Sequence, residues 1–298
     1  MSREGKIVDS AIRKIFETQL STQLAFYVTE NYPNYLLGKV EEIKERLRSL
    51  WRFMDADKDH YLATGEFVLE YDKDEIESKV AGLVELYDKA DSKKSFEDEL
   101  RRHDELSCLL LKAAIIKHGS RSSPSKKADA LIQFADEVLS GIPARELVVG
   151  LKHLTQKSNF FDPANAGLGA PKVPQKINAM AWDLMLIRMI EKINSMDQDG
   201  YYHHTFFATF DWRLVELHDD YKIKARLFPP REWKEPSFPI PQENYLEYMG
   251  NLVGIERSKA VFNDFATKRR MSQRPSHEQI KVLKSELEKE AIAALSPK

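Results

Sequence analysis

Apolar residues recur at helical spacing along most of this chain. Between residues 3 and 30, Ile7, Ala11, Ile12, Ile15 and Phe16 share one face, which predicts an amphipathic helix. Asn31 to Asn34 (NYPN) then predicts a turn enforced by Pro33. A second helix is expected from about Leu37 to Phe53, with Val40, Ile43, Leu47, Leu50 and Trp51 on its apolar side. After the acidic stretch DADKDHYLATGE, the segment FVLEY reads as a short strand running into the helix EIESKVAGLVELYDKA. Residues 95–117 form a helix that ends at Gly119, and two more follow at 127–140 and 143–155, with Pro143 suited to a first helical turn.

The second half changes character. Residues 159–175 carry prolines and glycines and should be irregular, whereas KINAMAWDLMLIRMIEKI is a strong helix closed by DQDG. TFFATFD (205–211) is a continuous apolar run closed by an aspartate, the pattern of a strand buried on both faces in a parallel sheet. YKIKARLF reads as its neighbour. A proline-rich stretch, FPPREWKEPSFPIPQ, marks the end of the compact core, and two helices follow, the last at about 276–295. The expected fold is therefore α/β and predominantly helical: a helical region over 1–60, a core with a small parallel sheet over 61–240, and a helical extension over 241–298.

Composition narrows the function classes. Apolar residues make up 42% of the chain, ample for a core, and 45 basic residues balance 47 acidic ones. No global basicity advertises nucleic acid, although a balanced total can hide a local basic groove. The one cysteine, Cys108, sits in the apolar run LSCLLLKAAII; it supports no disulfide framework and reads as an inert core thiol. The opening MSREGK lacks an apolar signal core, and no stretch approaches the roughly 20 apolar residues of a membrane span. A soluble, cytoplasmic protein without membrane association is the expectation.

Candidate chemistry lies in carboxylates. Asp183 interrupts a helix that is apolar nearly all round, where an ionised group needs compensation. A structural salt bridge to Lys176 or Arg188 would provide it, and so would a cation. Asp211 ends the apolar run TFFATF, where ligands gather in open α/β sheets, or else it caps the helix WRLVEL. Asp72 and Asp74 follow FVLEY, and Glu146 opens the helix ELVVGLKHL. Each of the last three also suits a turn, a cap or a helix N-terminus.

As an ordered set, Asp72 and Asp74, Glu146, Asp183 in INAMAWDLMLI and Asp211 in TFFATFD resemble a PIN-like nuclease domain over roughly residues 61–225. The first pair, Asp72-Lys73-Asp74, stands where that family has Asp-x-Asn. The resemblance implies an α/β/α core in which Asp72, Glu146, Asp183 and Asp211 hold Mg²⁺ or Mn²⁺, with Asp74 beside them. It also implies metal-dependent cleavage of RNA or single-stranded nucleic acid by metal-activated water. The loop Arg121 to Lys127 and the stretch Lys222 to Arg231 would supply a basic lining for the strand.

A second pattern competes with it. Asp55, Asp57, Asp59, Tyr61 and Glu66 fall at positions 1, 3, 5, 7 and 12 of an EF-hand loop, with His60 where glycine is usual. This local resemblance implies Ca²⁺ and a non-enzymatic regulatory protein. A third possibility is a helical interaction protein in which every acid is structural and the terminal helices serve a protein partner or self-association.

Overall fold

The computed structural model describes residues 3–18, 24–69, 72–155, 169–195, 197–198, 201–202, 213–215, 217, 223–227, 238–241 and 244–296. They divide into two compact units, Met1–Leu100 and Arg101–Lys298. Among the described residues, no helix is long and apolar enough to cross a membrane.

The first unit contains α1 (Arg3–Glu17), α2 (Ala25–Leu36), α3 (Val40–Met54), α4 (Lys58–Thr64), α5 (Lys73–Glu85) and the start of α6 (Ala90–Gly119). Ile43 and Leu47 of α3 meet Ile76 and Val80 of α5, joined by Val28, Tyr32 and Tyr87. Aromatic rings close this core: Tyr32, Tyr35, Tyr87 and Phe96 lie with centroids 4.7–6.5 Å apart. The Tyr87 hydroxyl satisfies itself by donating to the Val28 carbonyl at 2.7 Å. A smaller cluster of Phe16, Ala56 and Tyr61 joins α1 to α4, and the Tyr61 hydroxyl donates to Asp9 at 2.9 Å.

In the second unit the rest of α6 forms a buried post, with Cys108, Leu109, Leu110, Ala113 and Ala114 fully covered. Around it lie α7 (Pro124–Gln133), α8 (Ala144–Thr155), α9 (Val173–Ser195), α10 (Tyr245–Val253), α11 (Ile255–Val261), α12 (Asp264–Gln273) and α13 (His277–Leu295). A Cβ on Gly150 would come within 2.8 Å of the Leu131 side chain, so glycine lets α8 lie close on α7. α13 begins with a full capping box: Ser276 accepts from the Gln279 N–H, and the Gln279 side chain accepts from Ser276. Burial pushes the Cys108 thiol up to about 12, which keeps it protonated and inert as expected.

A buried polar cluster ties α6, α9 and α13 together. Asp104 accepts from Lys284 Nζ at 2.7 Å and lies 3.0 Å from His277 Nε2 and 3.3 Å from His103 Nδ1. Lys284 also donates to the Asn178 side chain at 2.8 Å, and the His103 ring stacks on Trp182 with centroids 4.2 Å apart. Burial works against the charge on Asp104, but His103, Lys284 and His277 overcome it and hold the carboxyl well below the usual carboxylate range.

Several expectations require correction. Among the described residues there is no parallel sheet, so the expected small parallel sheet flanked by helices is not found. The strands form two antiparallel pairs, β1 (Asp197–Gln198) with β2 (Tyr201–Tyr202) and β3 (Ile223–Leu227) with β4 (Phe238–Pro241). YKIKARLF does supply β3, but its partner comes from the proline-rich stretch. Pro239 and Pro241 have no N–H to offer a further strand, which confines β4 to an edge. Of the short strand expected at FVLEY, the described Phe67, Val68 and Leu69 are exposed, and Leu69 makes an isolated bridge to Ala56. TFFATFD lies outside the described residues. Finally, NYPN does not turn. Pro33 sits inside α2 near its C-terminal end, where only one turn of helix follows it.

Asp104→Asn should destabilise the protein by about 3 kcal/mol at neutral pH, because it leaves a buried ammonium without its counter-charge. The carboxyl is lowered in the folded state, so its stabilisation is full above the unfolded value near 3.8 and fades as pH falls below it. Urea denaturation of both proteins between pH 7 and pH 3 should therefore show the gap between them narrowing only at the acid end.

Candidate functional site

The five acids of the expected metal site have separate fates. Asp72 is exposed and N-caps α5, accepting from the Glu75 N–H at 2.8 Å, while Asp74 lies exposed in the first turn of that helix. Both belong to the first unit; Glu146 and Asp183 belong to the second. Glu146, in the first turn of α8, is wholly buried and gripped by Arg188 of α9, which binds one carboxylate oxygen through Nε and the other through Nη2 at 2.6 Å. Asp183 is half-buried between the buried Trp182 and Leu184. Arg188, one of the two cations expected to offset it, binds Glu146. Asp211 lies outside the described residues.

The segment of the competing calcium pattern folds as a helix. Asp57 is the N-cap of α4, accepting from the His60 N–H at 2.9 Å, and Asp59 stands in its first turn. The Tyr61 carbonyl, which a calcium loop would turn to the ion, accepts from the Gly65 N–H at 2.7 Å and closes the helix. Gly65 takes φ +79° there, the left-handed cap that glycine tolerates. Asp55, Asp57 and Asp59 share the wall of a 660 Å³ hollow with Trp51, Lys58 and Lys79, whereas Glu66 is exposed at the end of α4 and outside that wall. Among the described residues, no three His, Cys, Asp or Glu side chains are gathered as a metal would need.

What does converge is positive charge. A cavity of about 370 Å³ in the second unit is walled by Arg102 of α6, Arg188 of α9, and Arg270 and Arg274 of α12 and its C-terminal cap. Its construction begins at Phe134–Val138, where α7 widens into a single π-helical turn: the Leu139 N–H reaches back to the Phe134 carbonyl at 3.0 Å. This turn buries Asp136, which pairs with Arg269 at 2.5 Å and accepts from Arg270 at 2.7 Å. Burial opposes the Asp136 charge, but the two guanidinium groups hold its carboxyl below the ordinary value. Arg270 also donates to the Val261 carbonyl at 2.7 Å and to Thr267 at 3.1 Å, so its plane is fixed.

The loop Ser140–Pro143 completes the wall and leads into α8. Ser140 has φ +46°, a conformation that costs a residue other than glycine about 1 kcal/mol. On the opposite side Glu105 receives Arg101 at 3.1 Å and Arg274 at 3.2 Å. Five arginines (101, 188, 269, 270 and 274) are thus held by three carboxylates (Glu105, Asp136 and Glu146), and Arg102 adds one more cationic group to the wall.

The cavity was not the basic surface expected. Of the two predicted linings, Arg121 to Lys127 forms the start of α7, with Ser123 as N-cap and Lys127 donating to the Lys117 carbonyl. The stretch Lys222 to Arg231 is described only over 223–227. The run KRRMSQR at 268–274 is the sequence signal of this cavity, since it carries Arg270 and Arg274 four residues apart.

Arg188→Met should cost about 3 kcal/mol, because it strands a buried carboxylate. Asp72→Asn should stay within about 0.5 kcal/mol of the parent, since asparagine caps a helix as well as aspartate does. Urea denaturation of the two variants checks both values.

The sequence matches no family model, and comparison with curated proteins and with solved structures gave no match.

Proposed function

We propose that this chain is a helical binding protein that captures an anionic ligand in the arginine-walled cavity of its second unit. The observation that carries the reading is the convergence of Arg102, Arg188, Arg270 and Arg274 from α6, α9 and α12 on one half-open hollow. Guanidinium groups offer paired N–H donors that match carboxylate and phosphate oxygens, and they keep their charge at any physiological pH. Here Glu146, Asp136 and Glu105 fix the planes of Arg188, Arg270 and Arg274. A ligand would therefore meet donors that are already positioned, at little cost in ordering. The N-terminus of α8 lies beyond the loop and adds its dipole in the same sense.

Two of the lining arginines reach into water. Arg102 is exposed, and Arg274 keeps nearly half of its side chain in water. Isothermal titration with inorganic pyrophosphate should give saturable binding to the parent. Arg102→Gln and Arg274→Gln should each weaken it by roughly tenfold, the scale of one charge-assisted hydrogen bond. Binding should also fall as salt is raised. Absence of heat at millimolar pyrophosphate, or unchanged affinity in the double variant, would overturn the reading.

A further inference from the structure

The hydroxyl of a buried residue needs a hydrogen-bond partner, and in the cavity wall Ser140 has a hydroxyl that the protein does not satisfy. The residue is 5% exposed and lines the hollow. Among the described residues no hydrogen bond reaches its side chain. The hydroxyl is therefore left to what occupies the hollow, either water or an oxygen of a bound molecule.

The backbone makes serine a costly choice here. Ser140 has φ +46°, in the left-handed region. The Leu139 N–H bonds the Phe134 carbonyl at 3.0 Å and the Gly141 N–H bonds the Ala135 carbonyl at 3.1 Å, so the residue between them closes the π turn as a helix C-cap does. Glycine fills such a position without strain. This chain instead places serine at the cap and glycine one residue later, at 141. A strained residue in the wall of a cavity points to a role at the site. The same two hydrogen bonds tie Ser140 to the turn that carries Asp136, the anchor of Arg270.

On the footing of the anion-binding reading above, we infer that Ser140 is a ligand-contacting residue whose hydroxyl donates to an oxygen of the bound anion. A hydroxyl donating to a charged oxygen makes a short and strong bond. Held on both sides by backbone hydrogen bonds, this donor is positioned before the ligand arrives. The hydroxyl adds direction to the pull of the guanidinium groups, since only an acceptor oxygen at the right place can use it.

Isothermal titration with inorganic pyrophosphate tests the assignment on the parent, Ser140→Ala and Ser140→Gly, with urea denaturation of all three. Both variants should bind roughly tenfold more weakly, the scale of one hydrogen bond to a charged group. The urea midpoint of Ser140→Gly should equal or exceed that of the parent, because glycine relieves the left-handed strain. Weaker binding by a protein that is no less stable is an outcome that a purely structural serine would not give. If Ser140→Ala binds within about twofold of the parent, the hydroxyl does not touch the ligand. A loss confined to Ser140→Gly would trace to the loop backbone, and a fall in its urea midpoint would assign the serine to the fold. Each of these three results overturns the assignment while the anion site stands. If the parent itself gives no heat with pyrophosphate, the anion reading and this assignment fall together.

Discussion

A carboxylate withdrawn from water must be met by cations, and the second unit is organised around three that are. Asp104 joins α6 to α13 through Lys284 and His277, Asp136 joins the π turn to α12 through two arginines, and Glu146 joins α8 to α9 through Arg188. Apolar packing brings these helices together but is indifferent to small slips along their axes. A bidentate ion pair is not, because a displacement of about 1 Å breaks its hydrogen bonds and exposes the cost of the buried charge. The helical framework is thus held in register by its few polar contacts.

The cavity follows from the same constraint. Arg188, Arg270 and Arg274 are each anchored on an acid, so their guanidinium planes are set by the fold. The acids also moderate the mutual repulsion of the arginines, which would otherwise oppose their gathering in a confined space.

Much of the helical order was legible in the sequence, since apolar periodicity and end signals agree. The helix expected at 276–295 is α13, and the one expected to end at Gly119 is α6. Asp72 proved to be the cap that its place before a helix suggested. The apolar run at residues 67–69 misled, because its side chains lie exposed with no layer over them. Proline in NYPN misled for a different reason: it stands so near the end of α2 that little helix remains to be disrupted. The charged site was the least legible. Arg102, Arg188 and Arg270 are separated by more than 80 residues at each step, and only tertiary packing makes them neighbours. Acids at apolar positions drew notice as ligands, yet Glu146 is itself the partner of one of these arginines.

The π turn at Phe134–Val138 has a consequence for how this region can change over evolutionary time. A π turn is an α-helix with one residue too many, and removing that residue restores the regular winding. Everything beyond it would then rotate by about 100° about the helix axis, carrying Asp136 or the Ser140–Pro143 loop away from the arginines. Substitutions at the exposed Glu137 and Val138 can be absorbed one by one, but a single-residue deletion cannot. The length of this short segment is under tighter constraint than its composition.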